Sequence, residues 1–381
     1  MRNKGALALL ALIASLIIAA CGQQAPAAAP TAAPASGGEA PASSGGTIKV
    51  GLSFSDFATE RWKNEEVLMR RLLEEKGYEV ISQEANQDVK LQNDQIDNMV
   101  AQGVQALIIV AQDGDAIVTS VDKAADAGVK VIAYDRLIKS PKIAGYISFN
   151  NVEVGRQQAD GVMKALFANY DTANGPAKVV KLGGSPTDNN AILFRQGQDE
   201  VLQEYLDDGR IEIVADQWVE NWDPANALKL MENILTSQQN NIDAVVASND
   251  GTALGALQAL RAQNLAGVVP ISGQDATADG CNSIVKNELT VSILKDIRNL
   301  SPLAVDMADA LLKGNPVEGM QEYTLAELTT DESLSGNVMA LFLPVEQVNA
   351  ENVHELCVAN GFQSYDDVYR DVPEDQRPPR P

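Results

Sequence analysis

The chain has 381 residues, 45% of them apolar, and a formal net charge of −23. That length leaves room for two domains with full cores, and that apolar share excludes a chain disordered throughout. So acidic a surface repels phosphate backbones, which excludes nucleic acid as a partner.

The N-terminus opens with Arg2 and Lys4, continues as an apolar run from Ala6 to Ala20, and ends in small residues. This is the pattern of a secretory signal over residues 1–20. The run is about 15 residues, short against the roughly 20 of a spanning helix. "IAAC", Ile18 to Cys21, resembles the bacterial lipobox. That resemblance implies cleavage before Cys21, a diacylglycerol on its sulfur and a membrane attachment through the lipid. Residues 21–46 are dominated by alanine, proline, glycine and serine. Such a stretch buries too little apolar surface to fold, and reads as a tether.

From Thr47 strands and helices alternate. "TIKVGLSFS" reads as a strand, and Arg61 to Lys76 as a helix with Leu68, Leu72 and Leu73 on one face and Gly77 as its stop. "YEVISQEA", "ALIIVAQ", "VKVIAYDR" and "IAGYISFN" read as further strands, and "QNDQIDNMVAQG" and "DAIVTSVDKAADAG" as helices between them. After Asn150 the alternation restarts. Here "AKVVKLGGS", "RIEIVADQWV", "IDAVVASND" and "VVPISGQDA" read as strands, and Asn190 to Leu206, Pro224 to Ser237 and Thr252 to Gln263 as helices. Alternation at this spacing predicts an α/β protein with two doubly wound parallel sheets. In such sheets ligands bind beyond the carboxyl ends of the strands.

Polar residues gather at those ends: "TERW" and "YDR" in the first half, "GGSPTDNN", "ENW", "SND" and "GQD" in the second. The phosphate-binding lysine loop and the dinucleotide glycine spacing are both missing, so no nucleotide cofactor is expected. The single histidine, His354, reads as a surface residue on a late helix, and no metal is expected. Carboxylates, Asn amides and Arg forks beside indole rings suit sugar hydroxyls and the apolar face of a pyranose. The three tryptophans, Trp62, Trp218 and Trp222, all fall near strand ends. Each residue also has a plain structural reading: Asp135 as a loop cap, Arg136 as a bridge between domains, Asp275 as a helix cap.

The segments "ERW", "AYDR", "YISF", "GGSPTDNNA", "DQWVENW", "NALKLMEN", "IDAVVASNDGTA", "ALRAQNLAG" and "ISGQDA" closely resemble the bacterial D-xylose-binding proteins, across about Ile48 to Lys295. Those are type I periplasmic binding proteins that feed ABC transporters. The resemblance implies two lobes joined by three hinge strands, with one monosaccharide between them and a membrane permease as partner. It implies Arg61, Asp135, Arg136, Asn190, Trp222, Asn249, Asp275 and Lys295 as sugar ligands, with Trp62 as a second stacking ring. The expected lobes are 47–150 plus about 296–330, and 151–295 plus about 331–365. Residues 366–381, ending in "VPEDQRPPRP", read as a disordered tail.

Three other functions are weighed against sugar capture for import: a sugar-responsive repressor, a glycosidase using Asp135 and Asp275, and a sugar sensor. A repressor needs a DNA-binding segment ahead of Thr47, where this chain has a signal and a tether. Paired carboxylates flanking a sugar are the glycosidase arrangement. The sugar itself is D-xylose first, with glucose, arabinose or ribose as alternatives. With Cys21 lipidated, Cys281 and Cys357 are left as a disulfide pair outside the reducing cytosol. The competing reading is two buried thiols.

Overall fold

The computed structural model describes residues 47–381. The signal and tether readings, Cys21 included, lie outside the described residues. The first half runs β1 (Lys49–Phe54), α1 (Glu60–Glu75), β2 (Glu79–Glu84), α2 (Val89–Ala101), β3 (Ala106–Ile109), α3 (Val118–Asp126), β4 (Lys130–Tyr134) and β5 (Gly145–Phe149). The second runs α4 (Asn151–Phe167), β6 (Ala177–Gly183), α5 (Asn189–Asp207), β7 (Ile211–Trp218), α6 (Pro224–Ser237), β8 (Ala244–Ala247), α7 (Asp250–Ala262), β9 (Ser272–Gln274), α8 (Ala278–Val285) and β10 (Val291–Leu294). The chain then adds α9 (Ile297–Lys313), β11 (Gln321–Thr324), α10 (Leu325–Leu328), β12 (Asn337–Leu343), β13 (Glu346–Val348) and α11 (Tyr365–Val368).

The first sheet has the order β11-β12-β5-β4-β3-β1-β2. Its central strands are apolar on both faces because helices cover both; "ALII" of β3 is wholly buried. In the second lobe β7-β6-β8 and β13-β10-β9 are joined through a bridge between Val245 and Ile271. The parallel expectation holds for the sheet interiors. The two edge strands that close the lobes, β11 and β13, are antiparallel to their neighbours. The chain passes between the lobes after Phe149, after Leu294 and after Leu343. These passages are the three hinge strands.

Helix starts follow from their caps. Asp88, Asn150, Asp188, Asp223, Asn249, Thr277 and Asp296 each accept a bond from a backbone N–H in the first turn of the following helix. Helix α4 is an element the sequence reading passes over. Its buried face holds Asn151, Gly155, Gln158 and Gly161 among its apolar residues, which blurs the helical period. Those glycines have a packing reason. A Cβ on Gly155 would stand 1.9 Å from the Phe194 carbonyl oxygen, and one on Gly197 would stand 1.9 Å from that of Val152. The backbones of α4 and α5 therefore cross in direct contact.

Two expected boundaries change. Strand β12 pairs in parallel with β5, so residues 337–343 belong to the first lobe and not to the second. Val338 and Ala340 of β12 are buried in that lobe's core, an inward pattern that fixes the strand there. The tail expected from 366 is folded at least as far as Pro378. Val368 and Tyr369 are buried in the second lobe's core, and the Tyr365 hydroxyl donates to the Pro378 carbonyl at 2.7 Å. The proline and charge at the chain end masked this apolar anchor. The expected Cys281–Cys357 bridge is not formed: both cysteines are free and buried. Cys281 Sγ instead donates to the Ala276 carbonyl at 3.4 Å, with Cys357 beside it as a hydrogen-bonding neighbour.

Candidate functional site

In the first lobe the site is built on two strand ends. After β1 the chain turns into α1, whose first turn presents Arg61 and Trp62; both are buried. After β4 the chain bends sharply, because Asp135 has a φ of 59°. That left-handed conformation is uncommon for a residue with a side chain, and residues in it cluster at functional sites. The bend is held from outside: the Tyr146 and Ser148 hydroxyls both donate to the Asp135 carbonyl, at 3.0 and 2.7 Å.

The second lobe repeats the device. Asp275 follows β9 with a φ of 94°, and Ala276 after it has a φ of 46°. The Ala276 N–H donates to Ser292 Oγ at 3.0 Å, and its carbonyl accepts from Gln363 Nε2 at 2.9 Å. The Thr277 N–H donates to the buried Asp250 carboxylate at 2.8 Å. Asn190 sits in the first turn of α5, Asn249 caps α7, and Lys295 follows β10. Trp222 comes from the turn after β7, where Asn221 and Trp222 both have positive φ.

All nine residues expected from the sequence line one narrow cavity of about 30 Å³ between the lobes, room for a water or two as the side chains stand. Thr59, Asp188, Phe194 and Gln274 complete the wall. Trp218 is not part of it; its ring lies under the Arg195 guanidinium, 3.5 Å from ring centre to Arg195 Cζ.

The polar groups form a network across the cleft. Asp135 Oδ2 lies 3.1 Å from Arg61 and 3.2 Å from Lys295 Nζ, while Oδ1 accepts from Asn190 Nδ2 at 2.9 Å. Arg61 also reaches Asp275 Oδ1 at 3.4 Å. Behind it, Glu65 Oε1 accepts from Arg61 Nε and Nη2 at 3.1 and 2.6 Å, fixing the plane of the guanidinium. The Arg61 Cζ lies 4.4 Å from the Trp62 ring centre. Trp222 meets Phe194 edge to face, with ring centres 6.2 Å apart.

Burial disfavours the Asp135 charge, but Arg61, Lys295 and Arg136 outweigh it and hold the carboxyl at about 2. Burial pushes Glu65 up to about 7, only partly countered by Arg61. Burial likewise raises Asp188, against the pull of Arg136. The wall carries three cations, Arg61, Arg136 and Lys295, and three carboxylates, Asp135, Asp188 and Asp275. Their charges cancel, so the cavity favours neither an anion nor a cation. It suits a neutral ligand rich in groups that both donate and accept. Among the described residues, Trp62 Nε1 and Gln274 Oε1 are buried at this wall without a protein partner, one donor and one acceptor open to such a ligand.

Residues 50–316 match the periplasmic binding protein domain. The chain belongs to the periplasmic binding protein family. This is a family of solute binders that work outside the cytoplasm, not of enzymes. The D-xylose-binding periplasmic protein of Escherichia coli strain K12 is 41% identical over 315 residues, 83% of this chain and 91% of that protein. The multiple sugar-binding periplasmic receptor ChvE of Rhizobium radiobacter is 33% identical over 342 residues, 86% of this chain and 94% of that protein. Among solved structures, an ABC transporter solute binding protein from Clostridium phytofermentans with bound β-D-glucose superposes with a TM-score of 0.75 at 30% identity, covering 84% of this chain and 99% of that one. The two lobes and hinge strands are therefore those of the type I periplasmic binding protein fold.

Sequence reasoning missed Asp188, Gln274, Thr59 and Phe194. Asp188 stands in "SPTDNN" two residues before Asn190, and its position as cap of α5 at a strand end was the available signal. Gln274 precedes Asp275 and donates to it at 2.9 Å. Phe194 lies one helical turn beyond Asn190 on the same face of α5, where an apolar residue reads as ordinary core.

Proposed function

We propose that this protein captures a single aldose between its lobes, D-xylose first, and delivers it to the membrane permease of an ABC importer. The cavity whose three cations and three carboxylates cancel, walled by Trp62 and Trp222, supports this reading above all. Asp135 and Asp275 would accept bonds from sugar hydroxyls, Arg61, Arg136 and Lys295 would donate them, and Asn190 and Asn249 would present amides. The Asn249 side-chain Oδ1 already accepts from the Thr252 N–H at 2.8 Å, so its NH₂ group is the part left for a ligand. The indole rings would cover the C–H faces of the pyranose. The expected diacylglycerol on Cys21 would hold the protein to the outer face of the membrane, with residues 22–46 as tether.

A glycosidase role for Asp135 and Asp275 is disfavoured. A retaining or inverting hydrolase needs a protonated carboxyl as general acid. Asp135 is held ionised by Arg61 and Lys295, and Asp275 shares Arg61. A second sugar, glucose, is favoured by the β-D-glucose bound to the relative from Clostridium phytofermentans. Calorimetry of residues 47–381 against pentoses and hexoses tests the assignment. The expected result is one site per chain with xylose bound most tightly; tighter binding of glucose would replace xylose, and no aldose binding would overturn the reading.

A further inference from the structure

We infer that Asp188 is a positioning residue that couples closure of the lobes to the setting of the Trp222 ring. The inference rests on the reading of the cleft as a sugar site. The buried Asp188 carboxylate divides its two oxygens among three partners. Oδ1 accepts from the Asn190 N–H at 2.9 Å, which starts α5 and fixes the backbone that presents Asn190. Oδ2 accepts from Trp222 Nε1 at 3.2 Å. The same Oδ2 lies 2.9 Å from Nε of Arg136, which belongs to the other lobe.

The consequence is a coupled arrangement. Trp222 sits on a turn with two consecutive positive-φ residues, so its backbone alone is a strained support. Its ring is located by Gly184 on one side, where a Cβ would stand 1.9 Å from the ring, and by Asp188 at the indole nitrogen. Arg136 is anchored in its own lobe by donating to the Ala111 carbonyl at 3.1 Å. When the lobes part, Asp188 loses Arg136, and its carboxylate turns to the water that fills the opened cleft. When they close, the guanidinium neutralises the group that holds the ring. A charged hydrogen bond with one partner in each lobe thus favours the closed form and the oriented ring together.

Asp188→Asn separates this role from helix capping, because Asn caps as well as Asp. Asp188→Ser also keeps a cap but retracts the acceptor from Trp222 and Arg136. Cysteines placed at the exposed Val67 and Val268, one on each lobe, carry a donor and acceptor dye pair for the interlobe distance. Stopped-flow release of sugar gives the dissociation rate. Expected for Asp188→Asn is a longer mean interlobe distance at every subsaturating xylose concentration, release at least tenfold faster, an association rate within threefold, and a ligand-free melting temperature close to wild type. Asp188→Ser should release faster still. An Asp188→Asn protein with wild-type distance and release rate overturns the inference. So does a variant whose faster release is matched by a fall in ligand-free melting temperature, which marks a merely structural role. Failure of the wild type to close on any aldose overturns the sugar reading itself, and with it this inference.

Discussion

Asp135 and Asp275 stand in corresponding places in the two lobes and share one guanidinium. Each follows a short strand, each has a positive φ, and each donates its N–H to the neighbouring strand's carbonyl, Ile147 or Ile293, at 2.8 Å. Arg61 reaches both carboxylates, at 3.1 and 3.4 Å. The architecture appears twice, and so does the strained acid at its strand end. The pair is not equivalent in charge. Asp135 also binds Lys295, whereas Asp275 has Arg61 as its only ion-pair partner within 4 Å among the described residues.

Substitution of the two should therefore differ. Asp135→Ala leaves Arg61 and Lys295 with an uncompensated share of buried charge, a change that typically costs ~3–5 kcal/mol. It should abolish measurable xylose binding and lower the melting temperature. Asp275→Ala removes one acceptor and leaves Arg61 paired to Asp135 and Glu65, so the loss should be smaller, about 1–3 kcal/mol. Calorimetry on both variants measures the difference, and equal losses would contradict the asymmetry.

Gly184→Ala tests the Trp222 support from its other side. The added methyl would stand 1.9 to 2.2 Å from three carbons of the Trp222 ring, so the ring must leave its place. The ring is half-buried at the cleft wall and not in the deep core. The fold should survive, with a melting temperature within a few degrees, while sugar affinity falls at least tenfold. The sugar response of the intrinsic fluorescence should also shrink to the part that Trp62 supplies. Unchanged affinity would remove Trp222 from the site.

The sequence carried most of this site because strand ends in a doubly wound fold are few and polar residues stand out on them. Asp135, Arg136, Asn249 and Asp275 each break an apolar run, and each lines the cavity. What was not legible depends on three-dimensional partners. Asp188 differs from any other helix cap through Trp222 and through Arg136 of the opposite lobe. The role of Gln363 is set by its bond to the Ala276 carbonyl, 87 residues back along the chain. Strand β12 follows a short irregular stretch after α10, and its pairing with β5 assigns it to the first lobe. Trp218 shows the converse: it lies at a strand end like Trp222, but Arg195 covers it.

The cysteines should behave as two inert thiols. Both are fully buried, and the hydrogen bond with Cys357, then burial, push the Cys281 thiol well above its ordinary range. Burial keeps a reagent from both, and Cys281 is also held as the unreactive thiol, so neither should react while the protein is folded. A thiol reagent should label none in native residues 47–381 within minutes, and two per chain after unreduced denaturation. Rapid native labelling would contradict the burial. No labelling after denaturation would mean that the pair had oxidised to a bridge.

Stability should pass through a maximum in mildly acidic solution, because buried carboxylates in this protein are shifted in opposite directions. Asp135 falls from 3.8 to about 2, so its stabilisation is present above 3.8 and is lost as pH drops toward 2. By linkage that is worth roughly 2 kcal/mol. Glu65 rises from 4.5 to about 7, and Asp250 from 3.8 to about 7, both chiefly through burial. A raised carboxyl favours the folded state when protonated, so their contribution is complete at low pH and is lost as pH rises to about 7. The two limbs cross between about pH 4 and 5. Melting curves of the sugar-free protein from pH 2 to 8 should therefore rise, peak and fall. Glu65→Gln isolates one limb. Its amide keeps an oxygen for Arg61 and places N–H donors where the unpartnered Glu65 Oε2 lies, and it cannot ionise. In that variant the decline between pH 4.5 and 7 should flatten while the acid limb stays. A wild-type melting temperature that climbs steadily from pH 5 to 8 would sink this account, as would a decline in Glu65→Gln as steep as wild type.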